Sequence, residues 1–409
     1  MKGGRPLAGG AALALLLSLV LPGLVAGCGS DLASPFSAVV VAYDAGQARY
    51  KLARVRISTL TSLKRLQGSS GTVLANGAAH PDPQAFAAAG ATVASLRAQL
   101  FSEPASPVDL SWNVVNDGLV YPENYASLEL LSAYANLERA RAAFSTWGLK
   151  LQTAPVFAHT ALLDGRGLSP LADGELYYPP LGAFFLPAPS VKAQLPLHFN
   201  LGAVGHGLAL QAWQQVVWNQ KPVDPASAAP ATDPDALSAR HTGASVAQGL
   251  ADFLGAAVSR DPRWFDHSVQ QQAGSRALDV FNPTFNCASA AMIRALDVPD
   301  ATLAYNPYPL GTVLAYCLWE TLEGQDDTLI AKGARNALAA LAGIAAAQSA
   351  NGGKLALAAA LEALVAATPD DRKPDLCGSL HNRFTLVLSK DDLPSCKGVV
   401  EVAPLELCQ

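Results

Sequence analysis

The stretch "AVGHGLALQAW" (203–213) places one imidazole, His206, between Gly205 and Gly207 in an otherwise apolar, helix-forming run. A histidine so placed can ligate a metal, move a proton or satisfy one buried hydrogen bond. Further on, "TGASVAQGLADFLGAAVSRDP" (242–262) sets Gln248 and Asp252 four residues apart, on one face of a helix. Other candidate chemistry is weaker. Ser245 and Ser289 lie on helical runs without the strained strand-to-helix turn that exposes a serine nucleophile. "NGGK" (351–354) reads as a helix–helix turn, since no strand precedes it as a phosphate loop requires. "DGRG" (164–167) reads as a surface turn, and Trp213, Trp218 and Trp319 read as core residues.

The elements that must carry these residues follow from hydrophobic periodicity and from Gly and Pro. Residues 36–60 read as strands, because "AVVVA" is a continuous apolar run and "ARVRIS" alternates. "PQAFAAAGATVASLRAQLF" (83–101) reads as one helix, and "SEPASP" (102–107) marks a boundary. From 125 to 147, Leu130, Tyr134, Leu137 and Phe144 recur on one face, with Gly148 at the position of a C-terminal cap. "ELYYPPLGAFFLPAP" (175–189) reads as a pair of short strands. Beyond 195 the chain is mainly helical, with runs near 199–218, 242–258, 284–296, 311–323, 328–348 and 354–367. Prolines between 222 and 234 make that stretch a loop. The expected fold class is α+β, with N-terminal strands and a mainly helical C-terminal half.

The first 27 residues read as an export signal: Lys2 and Arg5, then the apolar "AALALLLSLVLPGLV", then small residues before Cys28. "LVAGC" resembles the lipobox of bacterial lipoproteins. That implies cleavage before Cys28, lipidation of its thiol and a membrane anchor; Gly29 carries no inner-membrane retention signal, so the expected location is the outer membrane. The net charge of −5, with no basic cluster, gives nucleic acid nothing to bind. Beyond Cys28 there are five cysteines, an odd number. Cys317, inside an apolar helical run, is expected to stay a free thiol. Cys287, Cys377, Cys396 and Cys408 are disulfide candidates, with Cys377–Cys396 the easiest pairing.

Taken together, the two helical stretches resemble the gluzincin zinc metallopeptidases, the thermolysin-like and fungalysin-like group. In that family one helix carries His-Glu-x-x-His, and a second carries a Glu ligand with an Asp four residues on. His206 matches the first ligand, Gly207 stands for the catalytic Glu, Leu210 for the second His and Gln248 for the third ligand, while Asp252 is kept. "YNPYPLGTVLAYCLWETL" (305–322) resembles a later family stretch, with Tyr308 in place of the histidine that steadies the transition state. "SAYANLERARAAFSTWGL" (132–149) and "ADGELYYPPLGAFFLPAP" (172–189) resemble the helix and hairpin upstream of the family's site.

The resemblance covers residues 108–345. It implies four regions: a signal at 1–27, a β-containing region at 28–107, a metallopeptidase-like (zincin) domain at 108–345 and a helical, cysteine-bearing extension at 346–409. With two of three ligands and the catalytic Glu replaced, it implies no catalytic residue, no bound metal and no cofactor: a pseudo-enzyme that binds or scaffolds. A peptide or protein segment in the remnant cleft is the expected ligand. The alternative is a hydrolase with a relocated metal site drawn from His198, His206, His241, Asp252 or Tyr308. On the leading reading, His206 and Asp252 should hydrogen-bond directly, with Leu210, Gln248 and Tyr308 around them.

Overall fold

The computed structural model describes residues 31–44, 46–80, 85, 90–115, 118–159, 161–162, 176–186, 195–225, 233–269, 274–297, 305–322, 326–384, 388 and 391–398. The signal segment, Cys28, the "DGRG" turn and Cys408 lie outside the described residues. The fold is mixed α+β, with strands in the N-terminal half and helices in the C-terminal half.

Strands β1 (Phe36–Asp44) and β2 (Arg49–Ile57) form a long antiparallel hairpin. Ala38, Val40 and Ala42 point inward from β1, as a period of two requires. Strands β3 (Leu60–Ser62), β4 (Gln67–Gly68) and β5 (Gly71–Ala75) continue as a meander. Four short strands follow: β6 (Ala78–Ala79), β7 (Phe101–Glu103), β8 (Ser106–Pro107) and β9 (Trp112–Val115). Next come β10 (Leu119–Pro122), β11 (Pro155–Ala158), β12 (Ala161–Leu162), β13 (Tyr177–Tyr178) and β14 (Ala183–Leu186).

One sheet has the order β2-β1-β10-β9, with β1 parallel to β10. A larger sheet runs β13-β14-β11-β5-β4-β3, with β11 parallel to both β5 and β14. Strands from either side of residue 107 are therefore paired in the same sheets. One buried cluster extends from Ala38 on β1 to Cys396 near the C-terminus, so the N-terminal strands and the cysteine-bearing end share a core.

Of the run expected to be helical over 83–101, residues 83–84 and 86–89 lie outside the described residues, and Val93–Leu100 forms helix α1. Thr92 and Ser95 form a reciprocal capping box that starts it, just after Gly90 at φ +78°. Helix α2 (Tyr125–Thr146) is capped by Asn124 and followed by Gly148 at φ +97°, the left-handed residue that lets the chain turn away. The expected strand pair near 175–189 is present as β13 and β14, joined by a turn of 3-10 helix.

Helices α3 (Leu201–Val216) and α4 (Pro234–Ser259) pack against each other at the centre. Helix α4 begins at 234 rather than near 242, because Asp233 accepts two backbone N–H groups and Pro234 fits the first turn. The helix expected over 284–296 is instead two, α5 (Pro283–Asn286) and α6 (Ala290–Leu296). They are broken at Cys287, which is disulfide-bonded, and Ser289 caps the second.

Helices α7 (Tyr308–Glu320), α8 (Asp327–Ala350), α9 (Leu357–Ala366) and α10 (Lys373–Arg383) complete the layer. Helix α8 is long and apolar enough to cross a membrane, yet Ile330, Ala334, Leu338, Leu341 and Ile344 form a stripe buried in the core. Helices α4 and α7 cross closely: a Cβ added at Gly249 would stand 2.6 Å from the carbonyl oxygen of Gly311. Cys377 and Cys396 are bonded, and Cys317 is free and buried, its thiol pushed up to about 12 by burial.

Candidate functional site

The centre of the molecule is a buried polar cluster where α3, α4, the irregular segment after residue 274 and the start of α7 meet. Asn200 caps α3, accepting from Gly202 and Ala203 N–H, and so fixes the helix that carries His206. His206 is fully buried and Asp252 nearly so. Gln248 reaches His206 across the helix pair, with Oε1 2.9 Å from Nε2. Asp252 Oδ1 stands 3.4 Å from the same nitrogen, longer than the direct bond expected.

The reason for that gap is Arg276, which the sequence reading did not single out. Its guanidinium binds Asp252 through two nitrogens, Nε to Oδ2 at 3.0 Å and Nη2 to Oδ1. The same Nη2 lies 3.1 Å from His206 Nε2. Rings enclose it: the guanidinium carbon is 4.1 Å from the centre of Phe265, 4.5 Å from Tyr308 and 5.4 Å from Trp264. Tyr308 therefore closes the cluster from a third segment, but through the arginine.

One ring nitrogen cannot serve both neighbours at once. With its proton on Nε2, His206 donates to Gln248; with it on Nδ1, Nε2 accepts from Arg276. Burial, and then the charge of Arg276, hold the imidazole well below its ordinary range, so the ring is neutral. Burial pushes the Asp252 carboxyl up against the opposing pull of the guanidinium.

The positions matched to catalysis are filled by packing. A Cβ at Gly207 would come within 2.8 Å of Phe184 Cε1, so the ring of β14 occupies the space a glutamate would need. Leu210 is buried one turn further on and lines an adjoining cavity of about 300 Å³ together with Gln248. Trp213 and Trp218, read from sequence as core residues, also line that cavity.

The remaining histidines of the relocated-site alternative go elsewhere. His198 Nε2 is 2.9 Å from Glu129 Oε1, with His159 Nε2 3.4 Å from the same oxygen. His241 Nδ1 donates to the Leu296 carbonyl at 2.8 Å, and its ring stacks on Tyr305 at 4.0 Å. Of the five residues in that alternative, only His206, Asp252 and Tyr308 share a neighbourhood.

These residues do not fit zinc. A catalytic zinc needs three protein ligands and one open position. Here one imidazole faces a neutral amide and a guanidinium, position 210 carries a leucine, which cannot ligate, and the cation beside His206 and Asp252 is Arg276. Among the described residues, no group of three or more His, Cys, Asp or Glu is placed to hold a metal ion. No protein-family model matches the chain, and no curated protein matches it.

Proposed function

We propose that the chain is a catalytically inactive relative of zinc metallopeptidases with a zincin-type fold, and that it acts by binding or scaffolding. The observation that carries this reading is the guanidinium of Arg276 seated between His206 and Asp252. On this reading His206 and Gln248 stand for two of the family's ligand positions and Asp252 for the Asp that orients the first histidine, and a side-chain cation, Arg276, lies among them. Phe184 against Gly207 supports the same reading, because it leaves no room for a base to activate water.

Lipidation of Cys28 would tether the protein at the cell envelope, in the outer membrane, with its folded part exposed to peptide or protein segments. The cleft beside Leu210 and Gln248 is where such a segment would lie.

Metal content tests this directly. The purified protein should contain no stoichiometric zinc by elemental analysis, and a chelator should leave its thermal midpoint unchanged. Stoichiometric zinc lost on replacing His206, or proteolysis of casein abolished by chelation, would overturn the reading.

A further inference from the structure

We infer that the open face of the sheet β2-β1-β10-β9 is a docking surface for an anionic phospholipid membrane, the one to which Cys28 would be anchored. This deepens the proposed function and rests on its reading of Cys28 as the lipidated residue. Such an anchor leaves almost no linker. Asp31 Oδ1 accepts from the Lys64 N–H at 2.9 Å, and the Leu32 carbonyl accepts from the Leu63 N–H at 2.8 Å, so the chain is already tied to the fold there. Asp31 stands three residues after Cys28, and three residues fully extended span at most about 11 Å. A lipid on Cys28 therefore holds this corner, where β1 begins beside Ile57, close to the bilayer.

The sheet that starts at this corner has one face on the core, where Ala38, Val40 and Val120 are buried. The alternate residues point the other way. On that side Arg56 pairs with Ser37, Ser37 with Leu119 and Leu119 with Val115, a row across all four strands. Arg54 pairs with Val39 and Leu52 with Val41 in the rows that follow, and Tyr121 falls on the same side as Leu119. Leu52 is 54% exposed, Tyr121 46% and Val115 44%. Among the described residues, five of the six exposed large apolar or aromatic side chains lie on this sheet or at Tyr125, which starts α2 just after it. Exposed apolar side chains gathered in one place mark an interaction surface.

Charge selects the partner. The chain is acidic overall, yet residues 45–81 hold six Lys and Arg and no Asp or Glu. They form no run in the sequence; the strand period sets Arg54 and Arg56 together on the open face, and Arg65 follows Lys64 at the corner that holds Asp31. Lys51 and Lys64 are paired with Asp44 and Asp109. Among the described residues, Arg54, Arg56 and Arg65 have no carboxylate partner. Leucine, valine and tyrosine bordered by arginine suit the headgroup layer, where apolar groups enter and guanidinium groups meet phosphate. A lipid anchor and a basic patch together hold more firmly than either alone. The patch by itself is weak, which agrees with release of a chain that lacks the lipid.

The test is co-sedimentation with vesicles of the mature chain, residues 28–409, carrying C28S so that no acyl group is present; every described residue lies within it. One set of vesicles is pure phosphatidylcholine, and the other is a mixture of phosphatidylcholine with phosphatidylglycerol. The chain should partition more strongly onto the mixed vesicles, and the preference should fade as salt is raised. R54E/R56E should weaken that binding about thirtyfold or more, the worth of two arginines at an anionic surface. L52S/V115S should weaken it as well and, with the headgroup preference, carries the test if R54E/R56E does not fold. No preference for the mixed vesicles, or unchanged partition in both variants, would overturn the proposal. So would a dimer, seen by light scattering, that both variants abolish, since the face would then belong to a second copy. None of these measurements uses the lipid on Cys28, which cell fractionation of C28S reads separately, so the two failures are distinguishable.

Discussion

Replacing Arg276 with methionine keeps most of the side chain's length and apolar contact with Phe265, Tyr308 and Trp264 but removes the charge. Asp252, 1% exposed, would then be a buried carboxylate with its two guanidinium contacts gone. Removing one partner of a buried ion pair costs about 3–5 kcal/mol, because the other is left uncompensated. D252L should cost about as much, for the mirror-image reason. The double variant R276M/D252L removes both charges, and apolar replacements of a buried pair are often close to neutral. It should fall within about 2 kcal/mol of the unaltered protein, giving a coupling energy of about 3 kcal/mol or more. Urea unfolding, followed in parallel by fluorescence and circular dichroism to check for a single transition, measures all four species. A cost below about 1 kcal/mol for R276M, or two single costs that simply add, would refute the view that this pair organises the centre.

Acid should destabilise the protein through His206. Its folded value lies below the ordinary 6.5, so as pH falls through about 6.5 the unfolded chain takes up a proton the folded chain refuses, and stability drops by up to about 1.4 kcal/mol per pH unit. H206Q should lose that part of the slope in unfolding measurements made across pH 5–8; an unchanged slope would mean the imidazole is not held neutral. G207E should destabilise by about 1–3 kcal/mol, as overpacking does, through collision with Phe184, and should create no peptidase activity; a stable or proteolytic variant would contradict the packing described. C28S should move the protein from the membrane pellet to the soluble fraction, and retention in the pellet would point to another anchor.

The meeting of His206, Gln248 and Asp252 was legible because helical spacing fixes which side chains share a face, and two amphipathic runs of this length have few ways to pack. Gly207 was legible too, as a position with no side chain, though what fills its space depends on the register of β14. Arg276 was not legible. It comes from "GSRALDVFN" (274–282), which forms no helix or strand, so no periodicity ties it to the site. A signal existed in the charge balance: a buried Asp252 without metal demands a cation. Nothing in the order of residues said which of the 28 lysines and arginines would supply it. The start of α4 shows the opposite lesson. The prolines between 222 and 234 mark a loop and the helical run reads from about 242, whereas Asp233–Pro234 is itself a helix start.

The guanidinium at the centre travels with the polypeptide, and this changes how the molecule is assembled. A protein cemented by a metal ion must meet that ion after export, competes for it with every other acceptor in the compartment, and comes apart when it is withheld. Here the cementing charge arrives with the chain at synthesis, at fixed stoichiometry, on a segment only 24 residues from its carboxylate partner. The centre closes with the chain's own charge, Arg276 against Asp252, and withholding zinc takes nothing from that pair.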